Sequence, residues 1–167
     1  ALWVEVNTAP LRDSKGHVAG AVRAITDISE RRQAREALRK SQAGLLLAQR
    51  IGHVGSWELD IASGSMEWSA ETYRIFELDP KTRITSQRVR GIVHPDDVST
   101  FDSVMARGMT GVDVTFAFRI VTGRGAVKHL RGVAHVREVV DGRPIFIGAL
   151  QDVTESKMAE EALDRAR

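Results

Sequence analysis

The chain has 167 residues, of which 43% are hydrophobic and 28% charged, with a net charge of +2. That balance excludes a disordered tail, and apolar runs of only a few residues exclude a membrane-spanning helix. The absence of cysteine excludes disulfides, thiolate metal sites and cysteine nucleophiles among these residues, and a cytoplasmic location is the expectation that goes with it, for a parent protein that is free to attach to a membrane elsewhere. Ala1-Leu2-Trp3 opens without Met or a signal-peptide pattern, so a piece of a longer protein is expected. The positive excess lies in residues 29–52, which carry six bases, two acids and no aromatic residue. A nucleic-acid face wants bases interleaved with aromatics. A solvated helix face is therefore expected there, with no nucleic-acid partner.

In chain order, residues 1–28 read as a β-hairpin with Trp3, Val4, Val6, Val18, Val22 and Ile25 as its apolar residues and a turn at Asp13-Ser14-Lys15-Gly16. An isolated hairpin is marginal in water, so this one is expected to dock on the following domain or on a second chain. Residues 29–51 read as a connector helix, without proline. Ala34, Leu38, Ser41, Leu45, Ala48 and Gly52 fall at 4-3-4-3-4 spacing, the seam of a short parallel coiled coil. An amphipathic helix lying on its own domain fits the same residues. The hairpin–helix junction is repeated later in the chain: Ala24-Ile25-Thr26-Asp27-Ile28-Ser29-Glu30 is matched, 125 residues on, by Ala149-Leu150-Gln151-Asp152-Val153-Thr154-Glu155. Each strand ends at an Asp and runs into a helix, with Ser29 and Thr154 expected as N-caps.

Between the two junctions lies one whole unit, residues 52–153. Gly55 to Ile61 alternates, Ala62-Ser63-Gly64 turns, and Ser65 to Trp68 returns. Ser69 caps a helix reaching about Leu78, and a second helical stretch covers Ser86–Val93. His94-Pro95-Asp96-Asp97 starts a third, with proline at the first helical position and both carboxylates in the first turn. Val112, Val114, Phe116, Phe118 and Ile120 alternate as a half-buried strand, followed by Val127–Val136 and Ile145–Val153, joined through Asp141-Gly142.

These residues closely resemble a PAS domain of the kind common in bacterial sensor histidine kinases. The resemblance rests on Ala48 to Asp60, Met66-Glu67-Trp68-Ser69, His94-Pro95-Asp96-Asp97, Phe118-Arg119-Ile120 and Asp152-Val153-Thr154-Glu155, and it covers residues 45–155. Residues 1–28 are similar to the last two strands of a preceding PAS domain. The resemblance implies an α+β fold, a five-stranded antiparallel sheet with helices on one face around a small cavity, flanked by connector helices. It assigns residues 1–28 to an incomplete upstream domain, 29–51 to a connector, 52–153 to a complete domain and 154–167 to the start of an exit helix. Signals would leave through Asp152, Val153 and Thr154.

Ile75, Val89, Ile92, Phe101, Met105, Phe116, Phe118, Leu130 and Phe146 are the candidate cavity lining, and the same list also reads as a plain hydrophobic core. No catalytic or metal-ligating set is expected: the His94 cluster is explained by helix capping, and the five histidines show no ligand spacing. Arg119 and Arg131 are candidates to anchor an acidic ligand. No cofactor is expected. Light-sensing relatives form a cysteine–flavin adduct that this chain lacks the residue for, and the helix over the sheet has no histidine for haem. What remains is a small metabolite or no ligand at all, and the plain core is the favoured reading. The expected function is a sensory or regulatory module of a multidomain bacterial signalling protein, a sensor histidine kinase, with no catalysis in this piece. Its expected partners are a second copy, met through the connector helices or the hairpin, and other domains of the parent chain. The rivals are a constitutive dimerisation spacer and a haem or flavin redox or gas sensor.

Overall fold

A computed structural model describes residues 2–138 and 144–167, so the expected turn at Asp141-Gly142 lies outside the described residues. The chain divides into two compact units, Ala1–Leu47 and Ala48–Arg167. In the first, β1 (Val4–Arg12) and β2 (Val18–Asp27) form an antiparallel hairpin in the register Val4↔Asp27, and α1 (Ser29–Ile51) follows at once. The turn is set by Asp13, whose carboxylate accepts from the amides of Lys15 and His17, and by Gly16 at φ 84°. Every residue of both strands is exposed, and α1 buries none of its own, leaving Leu38 and Leu45 of the seam in solvent.

The second unit is a six-stranded antiparallel sheet in the order β5-β4-β3-β8-β7-β6. Its strands are β3 (Val54–Asp60), β4 (Ser65–Trp68), β5 (Ile84–Thr85), β6 (Val114–Val121), β7 (Val127–Glu138) and β8 (Pro144–Asp152). The helices are α2 (Ala70–Phe76), α3 (Ser86–Ile92), α4 (Val98–Gly108) and α5 (Thr154–Arg165), with a 3₁₀ turn at Pro95–Asp97 before α4. The five expected strands are present. The sixth, β5, pairs only Ile84 and Thr85 with Met66 and Ser65, too short for any alternation to reveal.

Alternation sorts each long strand. Trp57 and Leu59 of β3, Val114, Phe116, Phe118 and Ile120 of β6, and Phe146 and Leu150 of β8 face one buried layer. The covering helices add Ile75, Phe76, Val89 and Phe101. Burying a side chain such as Phe146 contributes roughly 1.5–3 kcal/mol.

The helices are stitched down by polar groups. Ser69 caps α2 as expected, accepting from Thr72 N–H, and also accepts from Ser56 N–H at 3.0 Å. Thr72 Oγ1 donates to Ser56 O at 2.8 Å, tying α2 to β3. Gly55 permits this approach: a Cβ there would come within 2.9 Å of the Thr72 Cα and N. His94 Nδ1 accepts from Asp96 N–H, and Asp97 takes three hydrogen bonds from Arg119, at 2.7, 2.9 and 2.7 Å, through its backbone N–H, Nε and Nη2. The Arg119 guanidinium holds the Asp97 carboxyl down from 3.8 to about 2. The His-Pro-Asp-Asp segment is therefore a clamp between the start of α4 and β6.

Candidate functional site

Two features of the second unit stand out, an interior cavity and the junction where β8 becomes α5. The cavity measures about 40 Å³ and lies between the sheet and α2, α3 and α4. All five phenylalanines of the chain and two of its three tryptophans line it: Trp57, Trp68, Phe76, Phe101, Phe116, Phe118 and Phe146. Met66, Ser86, Val89, Val104, Met105 and Leu150 complete the wall. The rings interlock: Trp57 meets Phe146 edge-on at 5.4 Å, Phe101 meets Phe118 edge-on at 5.6 Å, and Phe116 stacks on Phe118 at 5.2 Å. Glycine makes room for two of them. A Cβ at Gly108 would run into the Phe146 ring, and one at Gly148 into Trp57.

Of the nine candidates read from the sequence, Val89, Phe101, Met105, Phe116, Phe118 and Phe146 lie on this wall. Ile75, Ile92 and Leu130 do not, and the assignment is corrected for them. Ile75 precedes Phe76 on α2, and adjacent helical residues point about 100° apart, so only Phe76 reaches the cavity. Ile92, in the last turn of α3, is partly buried against the core, while Val89 one turn earlier takes the wall. Leu130 is buried opposite Phe118 and Asp152, at the edge of a surface groove beside α5. Trp57, Met66, Trp68, Phe76, Ser86, Val104 and Leu150 were missed. The parity of β3, with Gly55, Trp57 and Leu59 on one face, was the signal that could have found Trp57. Neither arginine candidate reaches the cavity wall. Arg119 is committed to Asp97, and Arg131 donates to Gln151 at 3.3 Å on the exposed side.

A flavin or a haem does not fit this site. The volume is far below the ~300 Å³ at which ordinary small-molecule pockets begin. No histidine stands among the lining residues to ligate a haem iron.

At the exit, β8 runs into α5 through Asp152, Val153 and Thr154. The Asp152 carboxylate accepts from Thr154 N–H at 3.0 Å and from the Thr154 hydroxyl. Thr154 Oγ1 accepts from His129 N–H at 2.9 Å, and Val153 N–H returns to His129 O at 2.9 Å. The first unit repeats this set: Asp27 Oδ1 accepts from Ser29 N–H, Ser29 Oγ from Trp3 N–H, and Ile28 N–H donates to Trp3 O, each at 2.9 Å. Ser29 N–H holds the Asp27 carboxyl below its ordinary range. The expected N-cap roles of Ser29 and Thr154 are thus corrected. Both stand inside the helix, and their hydroxyls latch the helix to the neighbouring strand.

The junction is also tied to both ends of the unit. Asp152 N–H donates to His53 O, and Gln151 Nε2 to Gly52 O at 3.0 Å, so the entry to β3 and the end of β8 meet at one point. Lys128, half-buried on β7, donates to Ile75 O at 2.6 Å and lies 3.4 Å from Glu77 Oε1 and 4.0 Å from Asp152 Oδ2. Glu77, in the left-handed conformation that ends α2, is held below the ordinary carboxylate range by the Thr122 hydroxyl first and Lys128 next. The α2 wall of the cavity and the exit hinge therefore share one ammonium group.

An antiparallel sheet with helices over one face, an aromatic cavity between them and a helix leaving from the central strand β8 defines an α+β cavity domain. A model of the PAS fold matches residues 65–150, just over half of the chain, and the protein belongs to the PAS fold family. It is 25% identical over 171 aligned residues to proteins named blue-light-activated histidine kinase from Brucella ovis and Brucella abortus, covering 96% of this chain and 35% of theirs. The chain thus spans about a third of the length of these curated relatives. A sensory box histidine kinase/response regulator from Burkholderia thailandensis E264 superposes with a TM-score of 0.59 at 22% identity, over 74% of this chain and 94% of that one. The N-terminal domain of a diguanylate cyclase with PAS/PAC sensor from Marinobacter aquaeolei gives 0.57 at 17% identity, over 62% and 98%. At these identities the likeness to the solved structures is one of fold. Among the described residues no helix is long and apolar enough to cross a membrane.

Proposed function

We propose that residues 52–153 are the sensory PAS domain of a cytoplasmic part of a bacterial signalling protein, a sensor histidine kinase. The state of the cavity is passed through Asp152, Val153 and Thr154 to α5. The single observation that carries this is Lys128: it grips the end of α2, whose Phe76 lines the cavity, and faces the Asp152 carboxylate that holds the first turn of α5. A ligand that displaces α2 changes where Lys128 can sit, and so biases two arrangements of the hinge. Catalysis belongs to other parts of the parent chain. The cysteine–flavin adduct cannot form within these residues, which hold no cysteine.

Residues 1–28 are read as the closing hairpin of an upstream PAS domain. Val4↔Asp27 in β1–β2 has the register of Leu130↔Asp152 in β7–β8, and both junctions carry the same latch. The exposed Leu38 and Leu45 support pairing of α1 with its counterpart in a second copy.

The test is a thermal-shift screen of small metabolites, in which a binder raises the melting temperature by mass action. Amide exchange across residues 154–163 then follows with and without the binder. The expected result is altered exchange in the wild type and a smaller change in Lys128→Met. A ligand that saturates the cavity and leaves α5 exchange untouched overturns the sensory reading in favour of a spacer.

A further inference from the structure

The sheet has a second face, turned away from α2, α3 and α4, that carries the alternate side chains of each strand. Glu58, Glu67, Val133, Ile147 and Ala149 line one shallow groove on it. Glu58 of β3 stands directly opposite Glu67 of β4, and neither carboxylate meets a cation among the described residues. Like charges set side by side across a ladder repel each other and weaken the pairing. Arg131 of β7 is the converse case. It is exposed, its guanidinium donates to the Gln151 side chain, and it faces no carboxylate among the described residues. Between the two acids and this base the surface is small and apolar: Val133, which is 42% exposed, with Ile147 and Ala149 partly exposed beside it.

We infer that this outer face is a self-complementary contact surface whose occupant is the same face of a second copy of the chain. The register supplies the geometry. Glu58 lies opposite Ile147, and Ile147 opposite His135, so Glu58 and Arg131 stand two strands and four residues apart. At about 4.8 Å per strand and about 3.3 Å per residue the separation is ~16 Å, and its midpoint is Ala149. A two-fold axis passing over Ala149, at right angles to that line, sets Glu58 of each copy on the partner's Arg131. The same operation sets Ile147 on the partner's Val133 and Ala149 on its own counterpart. It carries Glu67 to the strip between the partner's Arg131 and the partner's His129, so one guanidinium sits against both of the carboxylates that repel each other. An isologous contact requires that residue i meets j and j meets i, and here charges and apolar residues both satisfy it. Alanine at the centre leaves the two sheets free to approach to the ~10 Å at which sheet faces pack. The contact is separate from pairing of α1 through Leu38 and Leu45, and it needs no ligand in the cavity.

The test uses the whole chain, which has no cysteine, so Ala149→Cys supplies a single thiol beside the axis, where two copies bring it together. Arg124→Cys, exposed in the turn between β6 and β7, supplies one away from the axis as the control. A short bismaleimide is expected to cross-link Ala149→Cys into a dimer and to leave Arg124→Cys monomeric. Leu38→Lys with Leu45→Lys removes the α1 seam, and sedimentation in that background reads the sheet face alone. There Glu58→Arg turns two attractions per dimer into two repulsions and should raise the dissociation constant about tenfold. Arg131→Glu should do the same, and the two reversals together should restore the wild-type value. Both side chains are exposed, and an unchanged melting temperature shows that each variant keeps its fold. Ala149→Cys that cross-links no better than Arg124→Cys overturns the inference. So does Glu58→Arg without effect, or a second reversal that restores nothing. Loss of all self-association with the α1 seam overturns it as well, leaving α1 as the contact between copies.

Discussion

Replacing Thr154 by valine removes one hydroxyl from the exit latch and keeps its volume. In the wild type that oxygen accepts from His129 N–H at 2.9 Å and donates to the Asp152 carboxylate. Valine leaves the His129 amide without its partner, while Asp152 keeps the Thr154 amide. A fully buried unpaired amide costs about 1–3 kcal/mol. Both His129 and Thr154 are half-buried, so water reaches the vacated amide and the loss should sit near the lower end, ~1 kcal/mol. For a domain of this size that is a fall of about 5 °C in melting temperature. Urea denaturation followed by the fluorescence of the buried Trp57 measures the loss, and amide exchange at His129 and Val153 locates it. Thr154→Ser keeps the hydroxyl and should behave as wild type. A Thr154→Val protein within ~0.3 kcal/mol of wild type, with His129 protected as before, refutes the latch as a stabilising contact.

Two further substitutions probe the stitches. The Asp97 carboxyl, held at about 2 against the ordinary 3.8, stabilises the fold fully above pH 3.8 and loses that contribution as pH falls through about 2. The shift is equivalent to ~2 kcal/mol, and solvent around the one-third-exposed Arg119 reduces it to roughly 1. The gap between wild type and Asp97→Asn in urea midpoint should therefore shrink between pH 5 and pH 2, and a gap constant over that window refutes the clamp. Gly55→Ala drives a Cβ against the backbone of Thr72, which a side-chain rotation cannot relieve. A loss of about 1–3 kcal/mol with loosened exchange in α2 is expected, and an unperturbed α2 refutes the close approach.

The strands were legible because one face of each is buried, which forces the alternation of Val114, Phe116, Phe118 and Ile120 into the sequence. The Ser69 cap was legible for a similar reason, since its hydrogen bonds are local. Contacts made by folding were not. Arg119 finds Asp97 across 22 residues, and Lys128 finds Ile75 O across 53, and neither separation leaves a periodic trace. The cavity was half visible. An apolar residue can be assigned to the core from its pattern, but whether it borders a space depends on its neighbours across the sheet. Trp68 lies on the wall because β4 places it opposite Trp57, a pairing fixed by the turn between the strands and the register of the whole sheet. Ile75 and Phe76 are indistinguishable by composition, and only the phase of a seven-residue helix separates them.

The hydroxyl latch is common to the two junctions, whose sequences share Ala24/Ala149, Asp27/Asp152 and Glu30/Glu155. It needs a carboxylate at the strand end, a hydroxyl two residues on and a free strand amide opposite, and the rest can vary. Trp3, with Arg32 stacked 4.0 Å over its ring, stands where the second unit has His129 and Lys157. The interiors diverge further. Gly148 must be glycine because the Trp57 ring lies against its Cα, whereas the residue in that register of the first hairpin is Arg23. A ring placed as Trp57 is would collide with any Cβ at Arg23. If residues 1–28 close an upstream domain, that domain has a different interior behind the same latch.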